Sequence, residues 1–442
     1  MGQRRRRKLP AEPVLVEISD LAHDGRGVGR IDGKAVFVHG ALPGERVSAR
    51  LIDRTRKYDE ALCLEVLQAS PERVEPGCPW FDSCGGCALQ HLDHAAQLRW
   101  KHKRLVDNLV RIGDVEPVTW LEPIADEPWH YRRRARLSAR NVRGKGRVLV
   151  GFREPQGRFV ADVGYCPVLH PDFSQRLASL SALLGSLSVA AAVPQIEVAS
   201  GDNGSAIVIR HLEALTDSDL DELRAWSSRE SMAVYLQPKG PDTVFRLHPE
   251  SHQLEYRLEA FDLTLQFHPQ HFIQVNARIN ARLIERAIEL LGLTGSERVL
   301  DLFCGLGNFS LPLARRAAHV TGIEAAAELI EAARDNARIN DIGNASFDVA
   351  DLTEDVSDRA WYRAGFDAVL IDPPRSGALE ILPVVAGSGA RRVVYVSCNP
   401  ATLARDAGVL VRDHGFTLVS AGIADMFPHT AHVESIALFE RQ

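Results

Sequence analysis

Cys398 stands in VVYVSCNPATLARD, where an apolar β-type run gives way to helical spacing with Pro400 in the first turn. A helix N-terminus favours thiolate over thiol, so this cysteine is expected to be nucleophilic. One chemistry open to such a thiolate is addition to carbon 6 of a pyrimidine such as uracil, which generates an enolate whose carbon 5 takes a methyl group from a sulfonium and releases the thioether. Carbon 5 has no lone pair of its own, unlike an exocyclic amine, and needs that activation. A base must then take the carbon 5 proton so that the thiolate can leave. Glu434, in FPHTAHVESIALFE ahead of the last apolar run, is the candidate.

The sulfonium donor has a candidate seat in RVLDLFCGLGNFSLPLA, Arg298 to Ala314. An apolar run ends at Asp301, Gly305 and Gly307 permit a tight turn, and LPLA resumes with helical spacing. The turn lacks the full G-x-G-x-x-G pattern and no lysine follows it, so neither a dinucleotide site nor a P-loop is favoured. S-adenosylmethionine, an adenine nucleoside without phosphates, fits. Glu324 lies 23 positions past Asp301, near the spacing at which an acid accepts hydrogen bonds from a ribose diol. Asp351 is expected to receive the adenine amino group. Such acids at successive strand ends line the edge where open α/β sheets bind ligands. Asp372-Pro373-Pro374 resembles the D-P-P-aromatic motif of amino methyltransferases, but Arg375 stands where the aromatic would be.

A second cluster lies in PGCPWFDSCGGCALQHL, with Cys78, Cys84 and Cys87 in a Pro/Gly-rich loop and Cys166 following much later in VGYCPVL. Three close cysteines and a distant fourth suit an iron-sulfur cube better than the paired C-x2-4-C spacing of structural zinc, though zinc and unligated thiols stay open. Seven cysteines in a chain of this length argue against a disulfide framework. Further on, WHYRRRARLSAR carries Arg132, Arg134 and Arg136 on strand-like backbone with Trp129 and Tyr131 interleaved. Alternation is expected to point the three arginines to one face, to contact phosphates while the aromatics stack bases. The net charge of -6 conceals an asymmetry, with +7 over residues 1–166 and -13 over the rest. The basic first part is the candidate polyanion binder.

These residues must be carried by at least two kinds of fold. Residues 1–10 read as a basic disordered tail, and residues 11–70 as a small β-barrel of short runs, VLVEI, AVFVHG, ERVSARLI and ALCLEVL, with Gly/Asp/Pro turns between. Residues 71–265 read as a central α+β domain holding the cysteine cluster, including the helix-like HAAQLRWKHKRLVDNLVRIG. From 266 to 442 an amphipathic helix, apolar at Ile279, Leu283, Ile284, Ala287 and Leu291, leads into β/α alternation that predicts a Rossmann-like, doubly wound sheet. No apolar run is long enough to span a membrane and the start has no signal-peptide core, so a cytoplasmic protein is expected.

The stretch DLAHDGRGVGRIDGKAVFVHGALPGERV resembles the TRAM domain, an OB-like RNA-binding barrel, and C-x5-C-G-G-C with a remote Cys-Pro resembles the [4Fe-4S] site of some RNA uracil-C5 methyltransferases. FIQVN, DLFCGLGNFSLPLA, IDPPRSG, VSCNPATLARD and HTAHVE together resemble the RNA m5U methyltransferase family, so that the likeness spans essentially the whole chain. The resemblance implies Cys398 as nucleophile and Glu434 as base. It implies Gln274, Phe303, Asn308, Glu324, Asp351 and Asp372 as the S-adenosylmethionine pocket, Phe272 beside the target base, and Cys78, Cys84, Cys87 and Cys166 as ligands of a [4Fe-4S] cluster. The implied substrate is 23S ribosomal RNA, reached by flipping a base from a single-stranded or loop region, and the enzyme is expected to act as a monomer. Competing readings are m5U formation in transfer RNA or at another ribosomal site, N-methylation of a purine through Asp372-Pro373-Pro374, and an Fe-S RNA-binding protein with an inactive transferase module.

Overall fold

Short alternating runs close the first part of the chain into a barrel. The computed structural model describes Leu9 and residues 12–155 and 157–441, so the basic tail expected over residues 1–10 lies, Leu9 apart, outside the described residues. Strands β1 (Val14–Leu21), β2 (Gly27–Ile31), β3 (Lys34–His39), β4 (Arg46–Arg54) and β5 (Tyr58–Gln68) join in the closed order β1-β2-β3-β5-β4. Val16, Ile18, Val36, Val38, Val47 and Ala49 fill it. Strand β2 falls in a stretch that the sequence reads as turns. Its inward positions are Gly27 and Gly29, where a Cβ would collide with Ile18 and Val16, so the barrel wall needs the residues that hide the strand.

Helix α1 (His94–Asn108) is capped by Asp93, whose carboxylate accepts from the amides of Ala95 and Ala96. It does not join the central sheet. Leu105, Leu109 and Val115 share a core with Leu403, Ala407 and Leu418 far along the chain, and β6 (Thr119–Trp120) adds a parallel edge strand to the C-terminal sheet. The expected 71–265 block is therefore contiguous in sequence but not in space, because the apolar face of α1 finds its partner across the chain.

The central sheet runs β12-β11-β10-β9-β7-β8, built from β7 (Arg134–Val142), β8 (Arg147–Gly151), β9 (Gln195–Ser200), β10 (Ser205–Arg210), β11 (Met232–Gln237) and β12 (Phe245–His248). Short α2 (Pro171–Ser174), α3 (Leu177–Ser186) and α4 (Asp217–Glu230) cover one face through Leu180, Leu184, Leu223 and Trp226. The other face shares a core with the hairpin β13 (Leu254–Leu258) and β14 (Leu263–Phe267) and with the C-terminal module.

That module opens with α5 (Ala277–Leu291), which buries the five apolar positions of its stripe together with Asn280. Its sheet has the order β17-β16-β15-β18-β19-β21-β20-β6. The parallel strands are β15 (Arg298–Leu302), β16 (His319–Glu324), β17 (Ala345–Val349), β18 (Ala368–Ile371) and β19 (Arg392–Ser397). Helices α6 (Ser310–Ala314), α7 (Ala327–Ile339), α8 (Leu382–Gly387) and α9 (Pro400–Arg412) connect them, and the antiparallel pair β20 (Thr417–Ala424) and β21 (Glu434–Glu440) completes the doubly wound sheet. The order reverses between β15 and β18, which sets a ligand crevice at the carboxyl ends of these strands. Among the described residues no helix is long and apolar enough to cross a membrane.

Lys101 of α1 is buried against Asp425, Nζ to Oδ1 2.6 Å, with His94 Nε2 2.8 Å from the other oxygen. Lys101→Met is expected to leave the buried Asp425 carboxylate with His94 as its remaining ion-pair partner and to cost about 3 kcal/mol, read as a lower urea midpoint. Removing exposed Arg338, paired with Asp335 on α7, is expected to change stability by less than about 1 kcal/mol.

Candidate active site

Strand β19 ends at Ser397 and α9 begins at Pro400, so Cys398 and Asn399 form the whole connection. Asn399 caps the helix, its Oδ1 accepting from the Ala401 amide. In the antiparallel ladder Ser397 faces Ser435, which brings Cys398, one residue on, beside Glu434, the first residue of β21. The expectation of a low-pKa thiol is corrected here. Cys398 precedes the cap rather than sitting in the first helical turn, and burial, then the neighbouring acids Glu434 and Asp372, push its thiol up to about 11, with Arg375 opposing. Burial and Asp372 likewise raise the Glu434 carboxyl well above its usual range, again opposed by Arg375. Burial thus favours the uncharged form of both groups.

The turn after β15 is held by unusual backbone. Phe303 has φ +65°, and Gly305 and Gly307 follow at +54° and +96°. A phenylalanine in that region is strained, a feature that clusters at ligand sites. The parallel register Leu302 to Ile323 sets Glu324 beside it. Glu324 Oε2 accepts from the Gly305 amide at 3.3 Å and Oε1 from the amides of Ala325 and Ala326, which fixes the carboxylate at the crevice. Asp301 is fully buried. It accepts from Ser310 Oγ through one oxygen, while the other has no partner among the described residues. Burial, with Asp372 and Glu324 nearby, raises Asp301 to about 7, and burial raises Asp372 to about 7. A crevice with several acids and an orphaned carboxylate oxygen suits a cationic ligand.

Asn308 is tied down by residues that the sequence reading missed. It exchanges two hydrogen bonds with Asn280 of α5, at 2.9 and 3.0 Å, and accepts from the Tyr256 hydroxyl of β13 at 2.9 Å. Only an odd polar residue on the apolar stripe of α5 could have signalled Asn280. Asp351 is exposed and its Oδ1 accepts from the amide and hydroxyl of Thr353, a turn-capping arrangement that keeps the carboxyl below its usual range. Gln274 is half-buried on the segment before α5. Cys304 is buried and packs in the core.

Two grooves flank this segment. Cys398 opens into a cleft of about 560 Å³ whose walls include His23 and Asp24 of the barrel, Cys87, and the arginines Arg104, Arg132 and Arg375. Arg134, Arg136, Arg210, Lys239 and Phe272 line a separate groove of about 880 Å³. The expectation that Arg132, Arg134 and Arg136 share a face is therefore corrected. Strand β7 starts only at Arg134. Arg132 precedes it, bridged to Leu169 and Asn276, and lies 5.3 Å from the Phe152 ring centroid, while Arg134 and Arg136 turn to Glu197. Phe272 is 64% exposed at the second groove. Tyr131 is buried with its hydroxyl donating to the Pro428 carbonyl, and Trp129 stacks 4.1 Å from His429, so these aromatics hold protein rather than await bases.

Cys78, Cys84, Cys87 and Cys166 line one small cavity of about 20 Å³ with Phe81, Phe152 and Val168. Among the described residues no group of three His, Cys, Asp or Glu is arranged to hold a metal ion. Burial pushes the Cys84 thiol up to about 11 and Cys87 to about 12. Gly86 admits the Phe152 ring, which a Cβ would meet at 2.9 Å. Gly86, Cys87, Arg132 and Phe152 also face the Cys398 cleft, so the two cavities share a wall. Of the two histidines near Glu434, His432 Nδ1 accepts from Arg375 at 3.2 Å, and His429, at φ +64°, accepts the amides of Ala88 and Leu89 through its carbonyl.

The sequence model of a family described as tRNA (uracil-5-)-methyltransferase matches residues 195–442, and that of the TRAM domain matches residues 8–61. Two relatives named 23S rRNA (uracil(1939)-C(5))-methyltransferase RlmD are each 50% identical to this chain. The Alkalilimnicola ehrlichii protein aligns over 440 residues with 99% of each chain covered, and the Stenotrophomonas maltophilia protein over 442 residues with 99% and 100% covered. Among solved structures, Pyrococcus abyssi tRNA (uracil-54, C5)-methyltransferase in complex with S-adenosyl-L-homocysteine aligns with a TM-score of 0.74 at 26% identity, covering 96% of this chain and 100% of its own.

Because the Asp372 carboxyl is raised to about 7, it is charged above that pH and neutral below it. Affinity for the cationic S-adenosylmethionine is expected to fall about tenfold between pH 8 and pH 6 as this proton is taken up, and Asp372→Asn to flatten the profile, measured by titration calorimetry.

Proposed function

The chain belongs to the tRNA (uracil-5-)-methyltransferase family, and we propose that it methylates carbon 5 of a uridine in 23S ribosomal RNA through a covalent adduct on Cys398. The carrying observation is the ladder register that sets Cys398 against Glu434 within reach of the acids of the β15 turn. Ribosomal rather than transfer RNA is favoured because the ribosomal enzymes are 50% identical to this chain and the transfer RNA enzyme 26%.

Cys398 gives its thiol proton to solvent in the field of Arg375, and its sulfur bonds to carbon 6 of the uracil as the carbon 5–carbon 6 π electrons move toward the carbonyl oxygen at position 4. S-adenosylmethionine, when bound, supplies the methyl that carbon 5 takes, S-adenosylhomocysteine being released. Glu434, its own proton lost to solvent, takes the carbon 5 proton as a carboxylate, the double bond reforms, and the Cys398 thiolate leaves. Glu324, Asp301 and Asp372 offer carboxylates to the cofactor's hydroxyls and cationic centres. Phe303 and Asn308 belong to the same turn, and Gln274 and the exposed Asp351 are assigned to the cofactor by the family likeness. The basic cleft around Cys398 takes the flipped nucleotide from a single-stranded or loop segment, and Arg134, Arg136 and Phe272 contact flanking RNA. Cys78, Cys84, Cys87 and Cys166 would hold a [4Fe-4S] cluster, supported by their convergence on one buried cavity. Its contribution is to pin the loop that shares a wall with the cleft, since the reaction transfers no electrons. The enzyme is read as a cytoplasmic monomer.

An rRNA fragment carrying 5-fluorouridine blocks proton removal, so with S-adenosylmethionine it is expected to leave a denaturation-stable protein–RNA adduct. Cys398→Ser is expected to abolish that adduct and lower turnover by more than about 10³-fold, and Glu434→Gln to accumulate adduct even on ordinary uridine. Full turnover by the serine variant would overturn the mechanism. Protein purified without oxygen is expected to contain about four irons and as much sulfide per chain, and stoichiometric zinc instead would overturn the cluster assignment.

A further inference from the structure

Arg104, on the half-buried side of α1, touches two distant parts of the chain at once. Its Nη1 donates to the His23 carbonyl in the turn between β1 and β2, and to the Ala431 carbonyl three residues before Glu434, both at 3.0 Å. The guanidinium lies 5.3 Å from the Trp100 ring centroid and has no carboxylate within ion-pair distance among the described residues. Around it Leu21 and Leu42 of the barrel, Leu89 and Leu92 of the cysteine loop, and Ala96 and Trp100 of α1 form a small separate core against which Ala431 packs. Lys103 adds a 3.0 Å ion pair to Asp20 at the barrel end. His23, Arg104, Cys398 and His432 all face the same cleft.

We propose that Arg104 is a positioning residue: it fixes the Ala431–Glu434 segment against the barrel's β1–β2 turn, so that RNA gripped by the barrel meets Cys398 and Glu434 in register. Both Nη1 protons are spent on main-chain carbonyls, and the two carbonyls belong to the segments whose spacing sets the width of the cleft. A Lys ammonium has donors enough for both carbonyls but no planar group to lie over the Trp100 ring while it reaches them. The barrel is then part of the catalytic cleft as well as an RNA holder. This inference rests on the reading of Glu434 as the base.

The test compares wild type, Arg104→Met and Arg104→Lys in the full chain. In methyl transfer to an rRNA fragment, Arg104→Met is expected to lower kcat by about 10- to 100-fold with KM for RNA changed less than about threefold, and Lys not to restore kcat. The salt dependence of kcat/KM is expected to keep its slope. Hydrogen exchange supplies a readout independent of activity: amides of residues 22–25 and 429–434 are expected to lose protection together in both variants, while α9 and β15 keep theirs. A rise in KM with kcat held, a shallower salt slope and rescue by Lys would overturn the proposal in favour of a phosphate contact. Unchanged protection of both segments would also overturn it. If wild type transfers no methyl to RNA, the functional reading fails, and the exchange data still decide whether Arg104 joins the two segments.

Discussion

The nine residues from Asp425 to Val433 connect the last two strands, and several segments between Ala88 and Tyr131 end on them. Lys101 donates to Asp425 and to the Phe427 carbonyl, Tyr131 to the Pro428 carbonyl, and the amides of Ala88 and Leu89 to the His429 carbonyl. Gln97 accepts from the His429 amide and donates to the carbonyls of Leu89 and Leu92, so one side chain joins the cysteine loop to this connection. A buried carbonyl without a donor is costly, and here each donor comes from a different segment. Glu434, the proposed base, is thereby located by contacts from residues 88–131. The 71–125 stretch, which the order of the chain assigns to the central domain, works in space as a strap across the catalytic sheet.

Electrostatics act in the opposite direction. Asp301, Asp372 and Glu434 are all raised by burial, and the arginine that opposes the shift at Glu434 lies at the cleft rim. The fold tolerates them because each can stay protonated while no cation is near. A cationic ligand at the β15 turn reverses that preference, and the carboxylates it creates are the ones that hold it. The same field keeps Cys398 a thiol at rest, so the nucleophile is protected until the cleft fills. Placement beyond the helix cap, and not in its first turn, is what lets the acids prevail over the helix dipole.

Features with a short local cause were legible in the chain. The apolar stripe of α5, the strand-turn-helix at Gly305, and the Cys398 connection each depend on residues within a few positions of one another, and the structure has them where the pattern puts them. What was not legible depends on partners far away. Asn280 looks like a flaw in an apolar stripe until Asn308 and Tyr256 are seen beside it. Arg132 and Arg134 differ by two positions, which alternation reads as one face, but the strand begins between them and sends the two side chains to different grooves. Strand β2 vanished because its buried side is glycine, and a rule that counts apolar side chains is blind to it.

The cysteine loop makes the same point energetically. Between Ser70 and Asp93 the chain is rich in proline, glycine and charge, and its apolar side chains are too few to form a core of their own. Leu89 and Leu92 are buried only by borrowing the barrel and α1, and residues 78–87 are anchored mainly by Trp80 against Tyr165 and Phe81 against His91. Four thiols converging from positions 78 to 166 give this stretch the cross-link that hydrophobic burial cannot, if they share one inorganic core as proposed. The location matters because Gly86 and Cys87 are also wall residues of the Cys398 cleft. A wall built from glycine would shift under a binding RNA strand unless something rigid stood behind it. A centre placed directly on the far side of that wall stiffens it without entering the chemistry, which is a sufficient physical reason for a methyl-transfer enzyme to carry a redox-type ligand set.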